Sequence, residues 1–162
     1  RFPFPRPILI YCRTFDQFRQ RKRCGVKTFE YSPEVRWSDQ DLLGHVNNAR
    51  MITLIEECRV RWLHEEKATH ITGGGLLVAH QSIDYLIPVM YGPELRLTVS
   101  VKRIGTSSFT VNTIGEQSGR KVFDSDVVLV HIDRRTGRPT PLTDEIRAVF
   151  EPYLAIEDGL SE

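Results

Sequence analysis

Between Asp41 and Asn48 the chain reads D-L-L-G-H-V-N-N, which puts a carboxylate, an imidazole and two carboxamides into one short stretch. A carboxylate can attack an electrophilic carbon or draw a proton from water. The residues that follow have helical spacing. The first N–H groups of a helix lack intrahelical acceptors and sit at the positive end of its dipole, so an oxyanion forming beside them is stabilised. The combination suits attack at an acyl carbon, and best a thioester, whose thiolate leaves more readily than an alkoxide. Residue types alone leave blander readings open: Asn47 or Asn48 can serve only as a helix cap, and His45 as a structural histidine.

Other chemistries are poorly served. Gly105-Thr106-Ser107-Ser108-Phe109 ends in Phe where a nucleophile elbow needs Gly. Gly73 to Gly75 after His70 read as a helix stop and turn, because no nucleophile accompanies them. Neither a phosphate-binding glycine loop nor an H-E-x-x-H pair occurs, and no metal is expected. Cys12, Cys24 and Cys58 are odd in number and widely spaced, which argues against a disulfide framework and makes a reducing cytoplasm the expected location.

Charge is unevenly spread. Residues 1–27 hold eight Lys or Arg against Asp16 alone, leaving fourteen basic and twenty acidic residues for the remainder and a net charge of +1 overall. An acidic body argues against nucleic-acid binding, and the basic arm reads as solvated surface. No apolar run approaches the roughly 20 residues of a membrane span, so membrane insertion is not expected.

The elements that must position this stretch follow from periodicity. Phe29, Tyr31, Val35 and Trp37 fall on odd positions and predict an edge strand over 28–37, interrupted at Pro33. Met51, Leu54, Ile55, Cys58 and Trp62 form one apolar helical stripe, predicting a single long helix that ends before Gly73. The period then changes to two, with strands expected at 76–87, 94–103, 108–116 and 121–133, and Thr143 or Asp144 capping a short last helix that runs to Tyr153. One strand, one helix and four strands joined by short turns imply an α+β domain whose antiparallel sheet wraps a central helix. Such a sheet leaves an edge and an apolar flank, for which pairing with a second copy is the expected remedy.

The run V-R-W-S-D-Q-D-L-L-G-H-V-N-N-A-R from Val35 to Arg50, continued by E-E-C-R at Glu56 to Arg59, resembles the 4-hydroxybenzoyl-CoA thioesterase family of hotdog proteins, especially its bacterial long-chain acyl-CoA branch. Asp84-Tyr85 with Pro88, and Arg103 to Ser108, support the likeness, which covers roughly 29–153. The resemblance implies a hotdog fold and hydrolysis of a fatty or aromatic acyl-CoA. Asp41 would then be nucleophile or general base, the Asn48 main-chain N–H would polarise the thioester carbonyl, and His45 and Asn47 would shape the site. Lys102 and Arg103 would meet CoA phosphates with help from Ser107 or Ser108, although a charged strand end alone also accounts for them. CoA would be part of the substrate, with no separate cofactor. The stretch is also similar to plant acyl-carrier-protein thioesterases, but Leu43 stands where they carry Asn.

The implied organisation is a basic extension over residues 1–28, a hotdog domain over 29–155 and a tail over 156–162, assembling as a homodimer or homotetramer with the cleft between subunits. Met51, Ile55, Leu76 and Leu86 are the expected determinants of acyl length. Glu57 reads as the i, i+4 partner of Arg61 rather than as a catalytic acid. A non-catalytic acyl-CoA sensor is the competing function, supported only by the basic arm. A hydratase of the same fold would need a His and Asp arrangement that is missing.

Overall fold

The computed structural model describes residues 26–73 and 75–155; residues 1–25 of the basic extension and the whole expected tail lie outside the described residues. The short strand β1 (Phe29–Tyr31) precedes a 3-10 turn (Trp37–Asp39), the helix α1 (Asn48–Glu65) and one further turn of helix, α2 (Ala68–Ile71). Strands β2 (Leu76–Tyr85), β3 (Leu95–Ile104), β4 (Ser108–Gln117), β5 (Arg120–Asp133) and β6 (Arg138–Pro139) follow, and then α3 (Asp144–Phe150) with a terminal 3-10 turn (Glu151–Tyr153).

The sheet order is β1-β3-β4-β5-β2, with antiparallel pairing throughout and β6 attached to β5. Its concave face is apolar because the alternating residues Leu95, Leu97, Val99 and Val101 of β3 and Val127 and Leu129 of β5 all point into the core. Met51, Ile55, Cys58 and Trp62 of α1 lie against that face and are buried. Burial pushes the Cys58 thiol up to about 12, so it behaves as a small apolar side chain. Trp62 meets Phe150 at 5.5 Å and Tyr153 at 5.2 Å between ring centroids, and Phe109 stacks on Phe150 at 4.1 Å, which locks the last helical segment onto the domain. At Gly115 a Cβ would fall 2.1 Å from the Phe123 ring, so glycine is what lets that buried ring lie flat on β4.

Three expectations change in detail. The edge strand predicted over 28–37 pairs only across Phe29–Tyr31, because Pro33 cannot donate to a ladder and the chain then turns toward the helix. The single long helix predicted to Gly73 breaks at Lys67, which adopts a left-handed conformation at φ 55, and a one-turn helix completes the span. Lys27, placed by sequence in the extension, is fastened to the domain: its N–H donates to the Pro152 carbonyl at 2.9 Å and its ammonium to Glu66 at 2.7 Å. Tyr153 donates to the same carboxylate at 2.6 Å. Burial alone would raise the Glu66 pKa, but these two donors outweigh it and hold the group below its ordinary value.

Candidate active site

Asp41 starts a tight turn held by its own side chain. Its Oδ1 accepts from the Leu43 N–H at 2.8 Å and from the His45 N–H at 3.4 Å. The main chain closes the turn, with Asp41 N–H donating to the His45 carbonyl at 2.8 Å and Gly44 N–H to the Asp41 carbonyl at 3.0 Å. Gly44 has φ +77, a conformation that L residues rarely adopt, so glycine is needed where the turn closes. The Asp41 side chain is exposed, pairs with no cation among the described residues and keeps Oδ2 free of protein donors there.

Asp39 has a different task. It is buried, its Oδ2 accepts from Arg36 N–H at 2.8 Å, and its carbonyl receives Asn47 N–H at 2.8 Å, which ties the turn to the start of α1. Two isolated bridges, Gln40 to Val46 and His45 to Met90, fix the turn against the loop after β2. The His45 ring makes no hydrogen bond among the described residues.

Asn47 is the N-cap of α1, its side-chain oxygen accepting from Ala49 N–H at 2.9 Å. That leaves the Asn48 N–H without a protein acceptor among the described residues. No acidic residue lies in the first turn, so the positive end of the dipole is uncompensated by a side chain. The structure therefore gathers Asp41, His45, Asn47 and Asn48 at the entry to α1. Trp37, Leu42, Leu43, Met90 and Tyr91 are exposed around them and form an apolar rim.

The other expected subsite lies elsewhere. Arg103 and residues 105–110 with Val128 line a recess of about 380 Å³. Lys102, by contrast, donates to Asp126 at 2.7 Å and is already partnered. Ser107 and Ser108 lie at the β3–β4 turn, at the start of β4, whereas Gln117 at its other end holds Met90 beside His45, donating to its carbonyl at 3.0 Å and accepting its N–H at 2.9 Å. Ten residues of strand, Ser108–Gln117, span about 30 Å. Within one chain the Arg103 recess and the Asp41 turn are thus at opposite ends of the sheet.

Of the residues expected to gauge acyl length, Met51 and Ile55 are core residues of their own chain, while Leu76 is half-buried and Leu86 exposed. Glu57 forms the foreseen ion pair with Arg61 at 2.6 Å.

The sequence profile of the thioesterase-like superfamily matches residues 35–150, which takes in the turn, the helix and the whole sheet. The chain belongs to the thioesterase-like superfamily. A curated relative, the YsmA protein of Bacillus subtilis (strain 168), is 35% identical over 118 residues, covering 68% of this chain and 77% of its own. The long-chain acyl-CoA thioesterase FadM of Escherichia coli (strain K12) is 27% identical over 73% of this chain and 93% of its own. Among solved structures, a Thermus thermophilus thioesterase complexed with coenzyme A and Zn superposes with a TM-score of 0.69 at 31% identity, covering 75% of this chain and 90% of that one. This superfamily member is a thioester hydrolase with the hotdog fold, its sheet wrapped around α1. No helix among the described residues is long and apolar enough to cross a membrane.

Proposed function

We propose that this chain hydrolyses acyl-CoA thioesters to a free acid and CoA, with Asp41 as the nucleophile or as the base for water. The carrying observation is the exposed Asp41 carboxylate, held by main-chain donors through one oxygen and free at the other, on the turn that leads to the unpaired Asn48 N–H. A carbonyl oxygen accepting from that N–H would gain the helix dipole as its negative charge develops. The carboxylate or its water attacks the carbonyl carbon, the C–S bond breaks, and the thiolate departs to be protonated from solvent. Coenzyme A is a substrate part named for the Thermus thermophilus relative, and long-chain acyl-CoA for the Escherichia coli one; both support the substrate class here.

The working unit in this reading is at least a homodimer. Strand β2 is a free edge among the described residues, and the CoA-phosphate recess at Arg103 lies about 30 Å from Asp41 in the same chain, too far for one compact ligand end to meet both at once. A second copy added antiparallel along β2 brings the far end of its sheet toward this Asp41, so each cleft takes the acid from one subunit and Arg103, Ser107 and Ser108 from the other. The exposed Leu77 and Val78 on β2 supply apolar surface for that contact.

The test is a thiol-release assay over acyl-CoAs from short to long, aromatic ones included. Hydrolysis of at least one class well above background is expected, and release at the background rate across the whole series overturns the enzymatic reading in favour of an acyl-CoA sensor.

A further inference from the structure

The flank of α1 that faces β2 holds a polar feature that the reaction does not use. Arg61 lies over the Tyr31 ring of β1 at 4.9 Å, which fixes one side of the helix toward that edge of the sheet. Arg59, two residues earlier and so roughly 200° round the axis, faces the opposite edge, where β2 runs. Its side chain is only 5% exposed, yet among the described residues its sole ion-pair partner is Glu56 at a long 3.4 Å, and its Nη1 is buried there without any acceptor. Burial holds this guanidinium below its ordinary pKa, as expected for a cation so poorly compensated.

A second orphan lies across the seam. Gln81 pairs in register with the buried Val127, so its side chain points to the helix side of β2, and its Nε2 is likewise buried and unpartnered among the described residues. Both groups fall at one height. Arg59 is eleven residues, roughly 16 Å, down the helix from Asn48, with its side chain leaning back toward that end. Gln81 is four residues, roughly 13 Å, up the antiparallel strand from Tyr85, the end of β2 nearest the Asp41 turn.

Between helix and strand the cover is incomplete. Ile52 on α1 is 41% exposed, and Val78 and Tyr85 on the core-facing side of β2 are 47% and 46% exposed. An apolar trough therefore starts beside the Asn48 N–H and runs down to two donors that lack an acceptor.

We propose that Arg59 and Gln81 recognise an oxygen on the distal part of the acyl group, so that the preferred substrates are acyl-CoAs bearing a hydroxyl or carboxylate toward the chain terminus. This rests on the thioesterase reading above. The span is that of roughly eight to twelve extended carbons with bonds near 1.5 Å. An oxygen delivered there accepts from both orphaned donors, whereas a plain chain leaves them unsatisfied.

The experiment compares kcat/KM for lauroyl-CoA with that for its ω-hydroxy and ω-carboxy derivatives, in the parent and in Arg59→Met and Gln81→Leu. In parallel, calorimetry measures binding of the three free acids. Met fills the volume of a buried Arg without its charge, so the fold should survive, and the second variant serves should the first fail to fold. The parent should favour at least one oxygenated chain by roughly tenfold or more, with the ratio falling toward one in the variants. Whichever derivative is favoured identifies the acceptor as hydroxyl or carboxylate. Turnover without preference, or equal ratios in parent and variants, overturns the inference and leaves the thioesterase reading intact. Preferential binding of an oxygenated acid without thiol release does the reverse.

Discussion

Replacing Asp41 separates chemistry from architecture because its side chain does both. In Asp41→Asn the amide oxygen can still accept from Leu43 N–H and His45 N–H, the contacts seen at 2.8 and 3.4 Å, so the turn should persist. The variant keeps the shape and loses the charge that attacks or accepts a proton. A positioned base or nucleophile is worth on the order of 10² to 10⁴ in rate, about 3 to 5 kcal/mol of barrier, and kcat should fall by that factor with KM little changed. Asp41→Ala loses the turn bonds as well. One good and one long bond at an exposed site are worth about 0.5–1 kcal/mol, so Ala should lower the melting temperature by a few degrees where Asn does not. The assays are thiol release under saturating acyl-CoA and thermal unfolding by circular dichroism. Turnover by Asp41→Asn within a few-fold of the parent would refute the role given to the carboxylate. An Asn variant as unstable as the Ala one would refute the account of the turn.

Mixing offers a test of the shared cleft: Asp41→Asn and Arg103→Ala should each be nearly inactive, while co-refolding them in equal amounts should restore roughly a quarter of parent activity, since half the dimers then carry one intact site. Failure to recover, in dimers shown to have exchanged, would place both residues in one chain's site. Arg103→Ala should raise the KM for acyl-CoA by about 10-fold or more through loss of a charge-assisted phosphate contact, with Lys102→Ala changing it less because Lys102 is already held by Asp126; a larger effect at Lys102, read from initial rates, would reverse that ranking. Acid stability should depend on Asp124. Burial pushes its pKa up, but hydrogen bonds from Lys121 and Asn112 more than offset this and leave it below 3.8. A depressed folded-state pKa means stability that is present above 3.8 and lost as pH falls through the folded value, so Asp124→Asn should flatten the loss of stability measured by denaturant melts between about pH 4 and 2. An unchanged slope would show that the network contributes nothing in acid.

Much of this protein is legible in one dimension. The switch from helical spacing over Met51–Trp62 to alternation over Leu95–Val101 predicts a helix on a sheet, because a buried stripe and a buried face leave different periods. Gly44 and the Asn47 cap act through bonds within a few residues, so the turn that carries Asp41 could be read locally, and the resemblance over Val35–Arg50 supplied its chemistry. Tertiary structure decided the rest. That Lys102 is taken by Asp126 depends on strands 24 residues apart coming level, and that Met51 and Ile55 belong to the core rather than to an acyl channel depends on which side of α1 the sheet covers. A helical wheel gives Arg59 a flank but not a neighbour. Its orphaned Nη1, the matching Gln81 across the seam and the roughly 30 Å between Asp41 and Arg103 follow from packing and strand order, which bring together or hold apart residues whose spacing in sequence carries no such distance.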